Sequence, residues 1–539
     1  MKFSIKKSGP YIFPGLMVLG LALLNIFCQD HWLDSDMAAE MIFSKLLAQS
    51  KHLFATNQWY YSTEFRVLYT QLVMAPLFLI CDNWHIIRMV TNILSYVLIL
   101  VSWFYMMKPL KTDRRWTALG GAVLLLPFSE TMMTHMQLGN TYMPHVILLL
   151  FYFGLFLRLV KKEDYTRARR WEMGIVYVVL AVVCGVSGVR YLLAMQCPLM
   201  LAAFLYLAGS EECRQFRKMF GTEQDWRVPF RGIWKNGRVS YFYFAFLGAV
   251  CGVLGYALNV LWVSRNYVFQ TYESTNFIAV YQGIFWERVQ NALGSLLMLF
   301  GYIPDKGFLS LRGIISVFSF VFIFIFGYCA VRMFRKSRGR RFFLLLFLGV
   351  SLAVNVFVFV FSSSTMVPRY YITILIFALP AIVFYLEGEA PALDRLVLGL
   401  VLAAGLLLGS AKVTLSFLTT DKNQDRRPVA AFLEEKGFEF GFATYWNANI
   451  MTELTDGRVE IANIQDPESL EYFKWSSPVK YYQEDYHQGP VFLLLTTEEA
   501  TEYGKAKVLR AGEKLYEDDH YVVYLYGSRE ELMSHAEER

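Results

Sequence analysis

Cysteine is scarce and poorly placed for a scaffold. All seven (Cys28, Cys81, Cys184, Cys197, Cys213, Cys251 and Cys329) precede residue 417, so the C-terminal part has no disulfide framework and nowhere does the spacing suit a structural metal. No glycine-rich phosphate loop opens a helix, and no internal repeat or low-complexity tract is present. Nucleotide-loop enzymes, solenoids and disordered chains are thereby set aside. Charged residues make up only 18% of the chain and are nearly missing from its long apolar runs. The net charge of +6 sits in short loops between those runs, as the positive-inside rule places it, and reports topology rather than a nucleic-acid partner.

What the chain has in abundance is apolar surface. Of 539 residues, 55% are hydrophobic and 17% aromatic, and the mean hydropathy is +0.36. A bilayer core takes roughly 20 apolar residues per helix, and runs of about that length recur from Tyr11 to Phe417. The expected fold is an α-helical polytopic membrane protein over residues 1–417, followed by a small α/β soluble domain over 418–539. Lys2, Lys6 and Lys7 precede the first run, Tyr11 to Phe27, and no small-residue cleavage site follows it. That run is therefore expected to remain as a first span, with a cytoplasmic N-terminus.

The apolar run from Val67 to Ile80 decides the topology. Counted as a span, it would leave Lys108, Lys111, Arg114 and Arg115 outside, against the positive-inside rule. Its short length, Gln71, Pro76 and the preceding Arg66 favour an interfacial or re-entrant segment. Residues 29–85 then form one long outer loop, and the later loops alternate cleanly. About eleven spans result, an odd number that carries the C-terminal domain to the outer, extracytoplasmic face. Leu293 to Phe300 is too short to cross and is expected at the interface. In the C-terminal part, Pro428 to Lys436 reads as a helix, and Phe438 to Trp446, Val459 to Ile464, Pro490 to Thr497 and His520 to Tyr526 as strands.

Three carboxylates, Asp34, Asp36 and Glu40, follow the first span directly. On a helix beginning near Asp36, that residue and Glu40 share a face and Asp34 sits at the cap. Capping accounts for one carboxylate, not three. The same outer loop carries Trp59, Tyr60, Tyr61, Glu64 and Arg66, residue types that stack on sugars and bind hydroxyls, although an interfacial aromatic belt has similar composition. A second outer segment supplies His135, Asn140 and Tyr142, and Arg190 lies at another outer boundary. Arg369 and Tyr370, in the run Met366-Val367-Pro368-Arg369-Tyr370-Tyr371, place a guanidinium outside against the charge trend. It suits a phosphate gripped by paired hydrogen bonds, or alternatively a lipid headgroup. The loop containing Arg265, Trp286, Glu287 and Arg288 is a further possible wall.

A retained first span, a long outer loop opening on an acidic motif, and the late Pro368-Arg369-Tyr370-Tyr371 together resemble the GT-C glycosyltransferases. The nearest likeness is to the family 39-like branch, with its protein O-mannosyltransferases and aminoarabinose transferases. The stretch from Trp446 to Arg458 is similar to the tail of some bacterial members. The resemblance implies transfer of a sugar from a polyprenyl phosphate to a cell-envelope glycan, lipid or protein, with inversion. It implies that an acidic residue of the first outer loop is the base. Asp36 matches best, with Met37 following where many members have Glu, and Asp34 and Glu40 stay alternatives. The histidine and proline pair of the O-mannosyltransferases is missing from this loop. Some GT-C enzymes use a metal; here no metal ligand set is assigned and no cofactor is expected to be obligatory, with a divalent cation such as Mg or Mn as an optional aid. The partners are the lipid-linked donor and membrane lipids. A lipid-linked glycan flippase or other transporter, which would need charges within the spans, and a non-enzymatic envelope scaffold are the competing classes.

Overall fold

The computed structural model describes residues 9–139, 142–161, 165–219, 227–270 and 276–537. Among them, nine helices are long and apolar enough to cross a membrane, beginning with Gly9–Trp32 and Trp84–Leu110 and ending with Pro368–Glu389 and Ala392–Thr419. The chain is an integral membrane protein. The two other expected spans coincide with Arg114–Leu125, of only 12 residues, and Arg167–Val186, whose first turn carries Arg167, Arg169 and Arg170. The run from Val67 to Ile80 forms only a 7-residue helix, Gln71–Leu77. Leu293 to Phe300, by contrast, belongs to a longer helix than expected, Gly283–Leu299.

Between helices in lipid, close packing replaces the hydrophobic drive, so small residues gather where backbones approach. Arg167–Val186 and Val239–Leu258 meet this way: a Cβ on Gly185 would lie 2.0 Å from the Gly252 carbonyl oxygen, and one on Gly255 would lie 2.1 Å from that of Val182. Larger rings fill the centre, where Phe153 packs 4.9 Å from Phe347 and Phe156 packs 5.3 Å from Phe343. The first span is tied in by Asn25, which donates to the Tyr96 hydroxyl at 2.7 Å and accepts from the Asn92 amide at 2.6 Å.

The loops expected outside gather at one end of the bundle. The Phe65 amide donates to the Ser187 carbonyl at 3.2 Å, Gln270 to Tyr61 at 3.0 Å, and Ile278 to Phe361 at 3.1 Å. At the opposite end Arg341 reaches the Leu110 carbonyl at 2.9 Å and Glu387 at 3.3 Å. Basic loops and site loops therefore segregate, as the charge pattern requires.

After the last span comes a five-stranded sheet in the order Glu460–Ile464, Phe440–Thr444, Val491–Thr496, Tyr521–Tyr526, Glu513–Glu517. The first three are parallel and the last two join antiparallel. The expected strand at Phe438 to Trp446 ends at Thr444, and Tyr445–Leu454 turns into a helix. The edge strand Glu513–Glu517 was not legible as a strand, because its sequence EKLYE is mostly exposed and charged, the composition that protects sheet edges.

This C-terminal part docks directly on the site loops. Asn423 donates to the carbonyls of Asp30 and Leu33 at 2.8 and 3.0 Å, and Trp84 donates its amide to Asp456 at 3.1 Å. A separate small sheet joins three distant segments, with Trp59–Tyr61 between Val268–Phe269 and Ser477–Pro478.

Candidate active site

The acidic segment folds into the helix Ser35–Gln49, and Asp34 is its N-cap, accepting from the Met37 amide at 2.8 Å. Burial and the neighbouring Asp36 charge push the Asp34 carboxyl up to about 6, while the Met37 bond pulls it back. Asp34 thus caps the helix and does not line the cavity beside it.

That cavity, about 270 Å³, is lined by Asp36, Glu40, Glu64, Arg66, Arg190 and Arg369 among others. Three carboxylates meet three guanidiniums there, but the pairing is uneven. Glu40 accepts from Arg66 at 2.9 Å and from the Thr70 hydroxyl at 3.0 Å. Its burial pushes the carboxyl up to about 7, with Arg66 and Thr70 holding it back. Glu64 pairs with Arg190 at 2.6 Å. Even so, Arg66 Nε and Arg190 Nη1 are buried without a hydrogen-bond partner among the described residues, and such orphaned donors are costly unless a ligand satisfies them.

Asp36 and Arg369 are the open members. Asp36 Oδ1 accepts from the Tyr445 hydroxyl at 2.6 Å, and no described residue hydrogen-bonds its Oδ2. Arg369 has no ion-pair or hydrogen-bond partner among the described residues; its guanidinium lies 5.8 Å from the Tyr370 ring centroid. Tyr370 in turn stacks on Phe359 at 4.8 Å. The segment before Arg369 is braced by the helix Gly283–Leu299: Arg288 donates to the Ser363 carbonyl at 2.7 Å, and Ser295 to that of Met366 at 3.0 Å. Arg288 therefore holds this wall up from behind.

The remaining expected residues divide by geometry. Trp59 and Tyr61 line the cavity with Phe43, whereas Tyr60 lies between them on a strand, where successive side chains face opposite ways. It packs edge-on against Tyr482, with centroids 5.5 Å apart, away from the cavity. His135 and Tyr142 stand behind the site: Tyr142 lies 5.6 Å from His135 and presents its face to the Arg190 guanidinium at 5.6 Å. Asn140 lies outside the described residues.

Sequence reasoning missed Tyr69, Tyr445, Trp475 and Ser476. Tyr69 stands under the Arg66 guanidinium at 4.9 Å, and Trp475 and Ser476 close the cavity from the C-terminal part. The one available signal was the segment beginning at Trp446, adjacent to Tyr445.

No family model matches the chain, and no curated protein sequence matches it. Solved structures do. ArnT from Cupriavidus metallidurans in the apo state superposes with a TM-score of 0.54 at 13% identity, over 99% of this chain and 100% of that one. The same protein bound to undecaprenyl phosphate gives 0.55 at 14% identity, with the same coverage. An oligosaccharyltransferase from Archaeoglobus fulgidus, in complex with Zn and sulfate, gives 0.50 at 10% identity over 96% of this chain and 72% of that one. Over nearly its full length, this chain shares the fold of ArnT.

Proposed function

We propose that the protein transfers a sugar from a polyprenyl phosphate to a hydroxyl of a cell-envelope acceptor on the extracytoplasmic face. The observation that carries this reading is the presence, on one cavity, of Asp36 with a carboxylate oxygen and Arg369 with a guanidinium that have no hydrogen-bond partner among the described residues. The ArnT structure bound to undecaprenyl phosphate supports a donor of that class.

The acceptor hydroxyl gives its proton to Asp36 as its oxygen attacks the anomeric carbon. The bond from that carbon to the phosphate oxygen breaks, and its electron pair leaves with the polyprenyl phosphate. Arg369 takes up the growing charge, with the free N–H groups of Arg66 and Arg190 beside it. A single in-line displacement inverts the anomeric centre. Trp59, Phe43 and Trp475 offer aromatic faces for the sugar.

The donor set fits a divalent cation poorly. Glu40 and Glu64 are engaged by Arg66 and Arg190, which leaves one uncommitted carboxylate among three cations, and the guanidiniums supply the positive charge that a metal would bring. No metal is assigned a step.

Asp36→Asn keeps the shape of the side chain and removes the base. Transfer of radiolabelled sugar from a polyprenyl phosphate in membranes should fall by about 10²–10⁴-fold. A wild-type rate in the variant, or movement of the labelled lipid across vesicles without transfer, would overturn the assignment.

A further inference from the structure

The C-terminal part is more than a cover over the cavity, because one of its residues bonds directly to the carboxylate proposed as base. We infer that Tyr445 is a positioning residue for Asp36, holding its carboxylate in one orientation. This inference rests on the transferase reading above.

The contact is built from both sides. Tyr445 opens the helix Tyr445–Leu454, and its hydroxyl donates to Asp36 Oδ1 at 2.6 Å. The preceding residue on the acidic helix answers: Ser35 Oγ donates to the Tyr445 carbonyl at 2.7 Å. The Tyr445 ring is 8% exposed and set edge-on against Trp446 and Phe473, with centroids 5.2 and 5.7 Å away. Two turns further along the same helix, Glu453 grips Arg88 with bonds of 2.8 and 2.7 Å, and Arg88 donates to the Met37 carbonyl at 3.0 Å. One helix of the C-terminal part therefore holds the start of the acidic helix at Ser35, Asp36 and Met37.

The arrangement suits a base. A single donor occupies Oδ1, and no described residue hydrogen-bonds Oδ2. Burial and the Asp36 charge raise the Tyr445 phenol well above its usual range, so it remains a donor at every working pH. Other groups face Asp36 as well: Asp34 from the cap, Glu40 one turn along, Arg66 from the following loop and Arg369 across the cavity. None of these hydrogen-bonds it, so Tyr445 is the contact that can be removed singly.

Tyr445→Phe keeps the ring and deletes the bond. A hydrogen bond to a charged group carries enough free energy for about a tenfold fall in kcat, with the KM for a polyprenyl-phosphate sugar unchanged. Losing that donor frees the carboxylate to turn, so its antisymmetric stretching band, isolated in infrared difference spectra by subtracting Asp36→Asn, should shift in Tyr445→Phe, a readout that needs no turnover. An unmoved band overturns the inference, whether kcat is wild-type or merely lower through general loosening, and so does a band that shifts while kcat stays at the wild-type value. A normal infrared shift in a protein that transfers no sugar would instead sink the transferase reading while leaving the Tyr445 contact standing.

Discussion

Arg88 and Arg369 both lie close to the acidic helix, yet the molecule treats them in opposite ways. Arg88 is 1% exposed, clamped by both oxygens of Glu453 and bonded to the Met37 carbonyl. Arg369 faces a cavity without an ion-pair partner among the described residues. A buried cation that already has its carboxylate is committed to the scaffold. One held open beside a carboxylate is available to a ligand. The ion pair ties Arg88 to the scaffold, the proposed function gives Arg369 its part in the chemistry, and each reading has its own measurement.

Glu453→Ala strands Arg88 in the interior and should cost about 3–5 kcal/mol of stability, seen as a lowered thermal midpoint in detergent. A variant with an unchanged midpoint but no transfer would reverse the roles given to the two arginines. Arg369→Ala should leave that midpoint in place and lower kcat by about 10²–10³-fold, the usual cost of removing one group that stabilises developing charge. A fall in midpoint with normal turnover would count Arg369 as scaffold.

The smallest effect sharpens the comparison at Glu40, which belongs partly to each class. Its carboxyl is pushed up to about 7 by burial, so the folded state binds its proton more tightly than the unfolded state does. By linkage its contribution to stability falls as pH rises from the ordinary glutamate range to about 7. Glu40→Gln should flatten the thermal-midpoint profile over that window. An identical slope in both proteins would show that Arg66 keeps Glu40 ionised throughout.

Asp36, Glu40, Arg66 and Arg369 could be read from the sequence because charge beside an apolar run is costly and the loop charges fix which side each run ends on. Tyr60 could not be separated from Trp59 and Tyr61 without knowing that the three form a strand, since only then does alternation turn Tyr60 away. Asp34 was foreseen as a cap and also held as a candidate base; the bond to the Met37 amide accounts for it as a cap. Tyr445 and Trp475 were invisible for a different reason. Their meeting with the first outer loop depends on docking between parts of the chain far apart in sequence, and no local pattern encodes that. The nine long helices among the described residues, by contrast, needed only length and composition.

The small sheet joining Trp59–Tyr61 to Ser477–Pro478, together with the Asp36 contact to Tyr445, gives the site a very high contact order. The Asp36 and Tyr445 partners are separated by 409 positions, and both belong to segments expected on the far side of the membrane from the ribosome. Closing so long a loop is slow compared with forming any single helix pair. Tyr445 follows every span in the chain, so its bond to Asp36 forms only after all of them have been made, and a chain halted during insertion would carry Asp36 without that hydroxyl. Assembly order thus sets when the proposed base meets its donor.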